Sequence, residues 1–154
     1  MCIRDRNKPA IQLEEQKMIG KAVLLLINQY PNLKKMIGIN IASFNYLDKE
    51  KGIALFTSSG AVYLSQDITG GYTAQYPFEI AVKKPTGCDA DRIALSDFLD
   101  SLASYVVKNR EAINLDDSRT VDSLEQTTLS NFVGRDGSSD IYRVGLRLKY
   151  KGVN

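Results

Sequence analysis

Arg143, Arg147, Lys149 and Lys151 are interleaved with Tyr142, Val144, Leu146, Leu148 and Tyr150 near the end of the chain. Successive side chains of a strand point to opposite faces, so this spacing turns the apolar set inward and lays a cationic row outward. Arg135 sits on the adjoining turn. Such a row suits an anionic partner, either DNA phosphates or the acidic residues of a neighbouring subunit. It also suits an ordinary solvated face whose lysines protect an edge strand. Neither interleaved exposed aromatics nor a groove-entering helix accompanies it, which weighs against direct nucleic-acid recognition.

The carboxylates offer a second chemistry. Asp89 and Asp91 have D-x-D spacing, and Asp97 and Asp100 stand i, i+3 on one helix face. A metal or general acid/base site would need them in a cleft with further ligands. Helix capping and a solvated helix face are the ordinary roles of such charges. Asp116, Asp117, Asp136 and Asp140 read as solvated turn charges in the same way. The chain contains no histidine, which removes Ser-His-Asp and Cys-His catalysis and every His-containing metal site. Two cysteines, Cys2 and Cys88, are too few for a zinc cage or a disulfide framework. Ser58-Ser59 and Ser138-Ser139 lack a lysine base at helical spacing. Gly70-Gly71-Tyr72 leads into a strand, without the helix dipole that holds a phosphate. The expectation is no enzyme, no cofactor and no metal.

Lys+Arg 20 against Asp+Glu 18 leaves a net charge of +2 over 154 residues, too weak a field for non-specific attraction to nucleic acid. The longest apolar run, Ala22 to Ile27, is far short of the roughly 20 residues that span a bilayer. With no signal peptide or lipidation motif, the default compartment is the cytoplasm, with no membrane partner.

The elements that must position these groups follow from periodicity. From Gln12 to Tyr30, Met18, Ile19, Ala22, Val23, Leu26 and Tyr30 recur at helical spacing, Glu14, Glu15, Lys17, Lys21 and Asn28 fill the other side, and the two glutamates stand near the favoured N-terminus. Ile37 to Leu47, Ile53 to Thr57 and Ala61 to Ile68 read as strands, Asp48 to Gly52 as a charged turn, and Gly70-Gly71 as a tight hairpin. In the next strand Tyr76, Phe78, Ile80 and Val82 face one way and Glu79, Ala81 and Lys83 the other. Pro77 cannot donate to a ladder, so this strand begins there or has one unpaired side. Asp89 or Asp91 caps a second helix running to about Arg110, with the stripe Leu95, Phe98, Leu99, Leu102, Tyr105 and Val106. Two last strands, about Val121 to Val133 and Ser139 to Lys151, are joined by Gly134-Arg135-Asp136-Gly137. The order α-β-β-β-β-α-β-β predicts an α+β fold: a mostly antiparallel or mixed sheet of about six strands with both helices packed on one face. Met1-Cys2-Ile3-Arg4-Asp5-Arg6 looks like a translated sequencing adapter or a disordered tail, leaving residues 7–154 as a single domain.

The stretch Gly70-Gly71-Tyr72-Thr73-Ala74-Gln75-Tyr76-Pro77-Phe78-Glu79-Ile80 precedes a Pro-x-Gly-linked helix. Further on, Leu129 leads through a Gly-Arg-Asp turn to Tyr142-Arg143-Val144-Gly145-Leu146-Arg147-Leu148-Lys149-Tyr150. In this order the chain resembles the tail terminator proteins, often labelled minor capsid proteins, of long-tailed phages of Gram-positive bacteria. The resemblance covers nearly all of residues 7–154 and rests on element order and turn residues rather than a catalytic motif. It implies a virion protein of the tail-neck region, assembled in the host cytoplasm as a homohexameric ring. Such a ring contacts the tail tube protein on one side, ending tube growth, and the head-completion or connector protein on the other. The cationic row Arg135, Arg143, Arg147, Lys149 and Lys151 would then line the lumen facing packaged DNA or form a subunit contact. A connector of the same neck and a small nucleic-acid-binding α+β module are the alternatives.

Overall fold

The computed structural model describes residues 9–31, 43–44, 51–116 and 118–153. Helix α1 (Leu13–Asn28) is followed by strands β1 (Ser43–Phe44), β2 (Gly52–Thr57), β3 (Val62–Gln66) and β4 (Gly71–Pro85). Helix α2 (Asp89–Lys108) and a 3₁₀ turn (Arg110–Ala112) come next. Strands β5 (Arg119–Gln126), β6 (Asn131–Asp136) and β7 (Ser139–Val153) complete the chain. The N-terminal hexapeptide and the Asp48 to Glu50 part of the charged turn lie outside the described residues. So does most of the 37–47 strand, of which Ser43–Phe44 is described.

The architecture is the expected α+β sheet with helices on one face. Two 15-residue strands, β4 and β7, pair antiparallel along their whole length, from Gly71↔Val153 to Pro85↔Ser139. At about 3.4 Å per residue this spine is roughly 50 Å long. One edge of β4 carries β3 and then β2, both antiparallel, and β1 joins β2 in parallel. The free edge of β7 carries β6 and then β5.

Alternation builds the core. Tyr76, Phe78, Ile80 and Val82 of β4 and Val144, Leu146, Leu148 and Tyr150 of β7 are buried on one face. They meet Ile19, Val23, Leu26 and Ile27 of α1 and Leu95, Leu99, Leu102 and Val106 of α2 in one continuous cluster. Burying a side chain of this size contributes roughly 1.5–3 kcal/mol. Tyr30, just past α1, closes the seam between the helices by packing tilted against Phe98 and Tyr105, with ring centroids 5.9 and 5.0 Å away.

Several expectations need correcting. The stretch read as one strand from Val121 to Val133 is two, so the described sheet has seven strands. Residues 127–130 leave the ladder because other groups satisfy their backbone. Thr127 and Thr128 donate to the Gly145 carbonyl at 2.8 and 3.3 Å, and Ser130 N–H donates to Asp100 of α2 at 2.9 Å. The last turn is also shorter than expected. Gly134, Arg135 and Asp136 belong to β6, and only Gly137 (φ +64°) and Ser138 form the bend. At the earlier hairpin Gly70 alone has positive φ, +95°, while Gly71 already starts β4.

Neither Asp89 nor Asp91 is the N-cap of α2. Cys88 occupies that place without a side-chain bond, and Asp91 reaches back to accept the Gly87 N–H at 3.0 Å. Pro77 sits in the middle of β4 rather than at its start. Its carbonyl accepts from Ser58 N–H at 3.0 Å, so its missing donor points to the same side, where β3 gives way to β2. Pro77 thus leaves one side of the strand unpaired rather than marking its start.

Candidate functional site

The outward row lies on the sheet face opposite the helices, as its spacing predicts. What the sequence does not reveal is that neighbouring strands supply carboxylates opposite it. Arg143 pairs with Glu79 of β4 at 3.4 Å, Arg147 with Glu125 of β5, and Lys151 with Asp122 of β5 at 3.8 Å. Register causes this, since Glu79 lies opposite Gly145 and Glu125 opposite Arg147. Arg147 and then Lys149 hold the Glu125 carboxyl below the usual carboxylate range. The row is therefore a ladder of cross-strand ion pairs rather than a bare cationic field. Arg135 stands apart from it. It turns to the helix-side face, lying 3.7 Å from Asp140, and donates to the Gly137 carbonyl at 3.2 Å.

Asp140 is not a solvated turn charge. It is only 1% exposed, accepting from Thr86 Oγ1 at 2.6 Å and Arg92 Nε at 2.9 Å. The Thr86 hydroxyl above all, with Arg92 behind it, holds this carboxyl below the usual range against the opposing effect of burial. Nearby, buried Lys83 donates to Asp136 at 2.6 Å, which lowers the Asp136 carboxyl likewise. These contacts weld the start of α2 to the β6–β7 turn. Asp100, read as part of a solvated pair with Asp97, instead holds the β5–β6 crossing. It accepts from Ser130 N–H and Oγ and from Gln126 Nε2 at 2.9, 2.8 and 3.2 Å. Of the paired carboxylates, Asp89, Asp91 and Asp100 thus have structural partners, whereas Asp97 is exposed. Among the described residues no group of three or more acidic or cysteine side chains is arranged to hold a metal, and no helix is long and apolar enough to cross a membrane.

Glu15, expected on the polar side of α1, is instead the most heavily bonded buried carboxylate among the described residues. Glu15 of α1 is 7% exposed and accepts from four donors. Tyr63 OH lies at 2.9 Å, Tyr72 OH at 3.2 Å and Arg119 Nη2 at 3.1 Å, and Tyr150 OH makes the fourth bond. Arg119 also donates to Tyr72 OH at 2.7 Å and pairs with Asp116. Burial, followed by the Glu15 charge, pushes the Tyr63 and Tyr150 hydroxyls upward. Burial raises Tyr72 too, against the pull of Arg119. One signal was available: Glu15 stands four residues before Ile19 and eight before Val23, on the buried stripe of its helix. The cluster ties α1 to both spine strands and to β5. Gly152 permits it, because a Cβ there would overlap the Tyr72 ring.

Among the described residues, exposed apolar side chains gather at two places, apart from the scattered Leu13, Ile68 and Val153. At the end of the spine near Asp140, Leu129 (75% exposed) in the loop before β6 and Phe132 (55%) and Val133 (48%) near its start lie beside Ile93 (62%) on the first turns of α2. Phe132 packs edge-on to Tyr142, with centroids 5.6 Å apart. Ser130 is held by Ser96 and Asp100, one and two turns beyond Ile93. Toward the other end, α1 and the segment before β5 form an open groove of about 660 Å³, lined by Met18, Ala22, Leu24, Leu25 and Leu115 and rimmed by Lys17 and Lys21.

The fold has a likeness among solved structures. A chain of the "Virion of native gene transfer agent (GTA) particle" superposes with a TM-score of 0.64 over 92% of this chain and 100% of that one, at 14% identity. No protein-family model matches the sequence, and no curated protein matches it significantly.

Proposed function

We propose that this chain is a structural subunit of a phage-like virion, acting as a tail terminator. Copies form a ring at the head-proximal end of the tail tube, stop its polymerisation and present the surface that docks the head. The observation that carries the virion reading is a fold likeness to a virion chain that spans nearly the whole of both molecules. The terminator reading adds the resemblance of residues 70–80 and 129–150, which form the first part of β4 and the β6–β7 hairpin.

On this reading the protein works by interface complementarity and not by chemistry. One ring face matches tube subunits and the other does not, so growth ends. Each subunit in a closed ring of heterologous contacts must bury two different patches. In each of the acidic pairs at least one carboxylate is taken up structurally: Asp89 pairs with Arg92, Asp91 accepts from Gly87 and Asp100 accepts from Ser130. Packaged DNA passing the outward row would have to compete with Glu79, Glu125 and Asp122 for its cations, which favours a subunit or solvent role for that face over DNA contact.

The test is co-sedimentation of the purified chain with terminator-free tail tubes, followed by negative-stain microscopy. The expected result is a ring capping one end of tubes of uniform length. Binding to DNA-filled heads and not to tubes would transfer the protein to the connector. Binding to neither would overturn the neck assignment.

A further inference from the structure

We infer that copies of this chain associate head to tail, the β6 corner of one copy (Leu129, Phe132, Val133 and Ile93) seating in the α1 groove of the next. The inference rests on the ring reading and assigns the two surfaces that such a ring needs.

Three observations carry it. The surfaces lie toward opposite ends of the spine. The corner is tied to the Asp140 end through Arg92 and Tyr142, whereas the groove borders Glu15 and Leu115 near Tyr150 and Arg119. Eight to ten strand residues separate them, about 30 Å. Patches so placed on one molecule cannot satisfy each other within it, but a second copy can join them head to tail.

Charge is complementary. Beside Ile93 the exposed turns of α2 carry Asp89, Asp91 and Asp97, which with buried Asp140 outnumber Arg92, bridging Asp89 and Asp140, and Arg135 of β6, lying 3.7 Å from Asp140. The groove rim carries Lys17 and Lys21, with Glu14 as its one carboxylate. Opposite potentials around apolar centres fix register and disfavour corner-on-corner pairing.

The area also fits. At roughly 150–200 Å² for a side chain of this size, the four corner residues at their observed exposures offer about 400 Å² of apolar surface. A stable interface buries about 800 Å² per partner, a little over half of it apolar. Phe132 is the expected anchor, and Leu25, 61% exposed beside the groove, lies among its receivers.

The experiment uses the full chain with Phe132→Asp and Leu25→Asp, substitutions at exposed positions whose folding is checked by circular dichroism and melting. Association is read by sedimentation velocity and native mass spectrometry in solution, and by capping of tail tubes. Each substitution alone is expected to weaken self-association about 30-fold or more. Mixing the two variants is the decisive arm. F132D keeps a sound groove and L25D a sound corner, so together they should form a 1:1 dimer that grows no further. Charge reversal supplies a second readout: Lys17→Glu with Lys21→Glu should weaken assembly, and Asp91→Lys with Asp97→Lys on the mixed partner should restore it. Wild-type assemblies that neither apolar substitution disturbs, or variants that fail to complement, would overturn this docking while leaving the ring reading intact. A wild-type chain that stays monomeric in solution and on tubes would overturn both.

Discussion

Removing the Glu15 carboxylate tests whether the tyrosine cluster acts as one unit. In Glu15→Ala the hydroxyl of buried Tyr150 loses its acceptor, Tyr63 and Tyr72 lose theirs, and Arg119 keeps only Tyr72 and Asp116. Breaking a buried ion pair by deleting one partner costs about 3–5 kcal/mol, a large part of the roughly 5–15 kcal/mol that stabilises a domain. Tyr150→Phe alone removes one hydrogen bond to a charged acceptor, about 1.5–3 kcal/mol. In the E15A background the same change removes an orphaned hydroxyl and should be neutral or favourable. The coupling energy between the two sites is therefore expected to be at least about 1.5 kcal/mol. Urea unfolding of the four proteins, followed by tyrosine fluorescence and far-ultraviolet circular dichroism, completes the cycle. Additivity within about 0.5 kcal/mol, the behaviour of independent sites, would refute the network.

Three further outcomes follow from the same geometry. Tyr63, Tyr72, Tyr76 and Tyr150 are all pushed above the ordinary tyrosine value, burial being the leading cause. The unfolded chain then loses these protons first, so stability should be full below about pH 10 and fall as pH rises beyond it. Urea midpoints between pH 8 and 11 check this. Asp140, held below the ordinary carboxylate range, gives the opposite sign. Its contribution is present above about pH 4 and lost as pH falls further, so Asp140→Asn should flatten the acid limb of the stability profile. Gly152→Ala would drive a methyl into the Tyr72 ring and should cost about 1–3 kcal/mol. Gly145→Ala meets only the Thr127 and Thr128 side chains, at 2.9 and 3.0 Å, so thermal melts of the two variants should rank Gly152→Ala as the more damaging.

Much of this protein was legible from residue order because it depends on local periodicity. The alternation of Tyr76, Phe78, Ile80 and Val82, and of Val144, Leu146, Leu148 and Tyr150, is enough to make two strands with one greasy face. The stripes of Ile19–Val23–Leu26 and Leu95–Leu99–Leu102 are enough to make two helices that must cover it. The outward direction of Arg143, Arg147, Lys149 and Lys151 follows from the same two-residue period. Partners of the polar groups lie beyond the reach of any such period. Glu15 meets Tyr150 across 135 positions and Arg119 across 104. Asp140 meets Thr86 across 54, and Ser130 meets Asp100 across 30. Whether a carboxylate is a solvated charge or a buried anchor depends on what the other elements bring to it, and desolvation is tolerated only where those donors converge. The break between β5 and β6 has the same origin, since backbone groups at 127–130 could leave the ladder only once Gly145 and Asp100 were in place to bond them. Residue order determined the elements and their faces; the tertiary structure decided which charges are paired, which are buried, and where apolar surface is left uncovered.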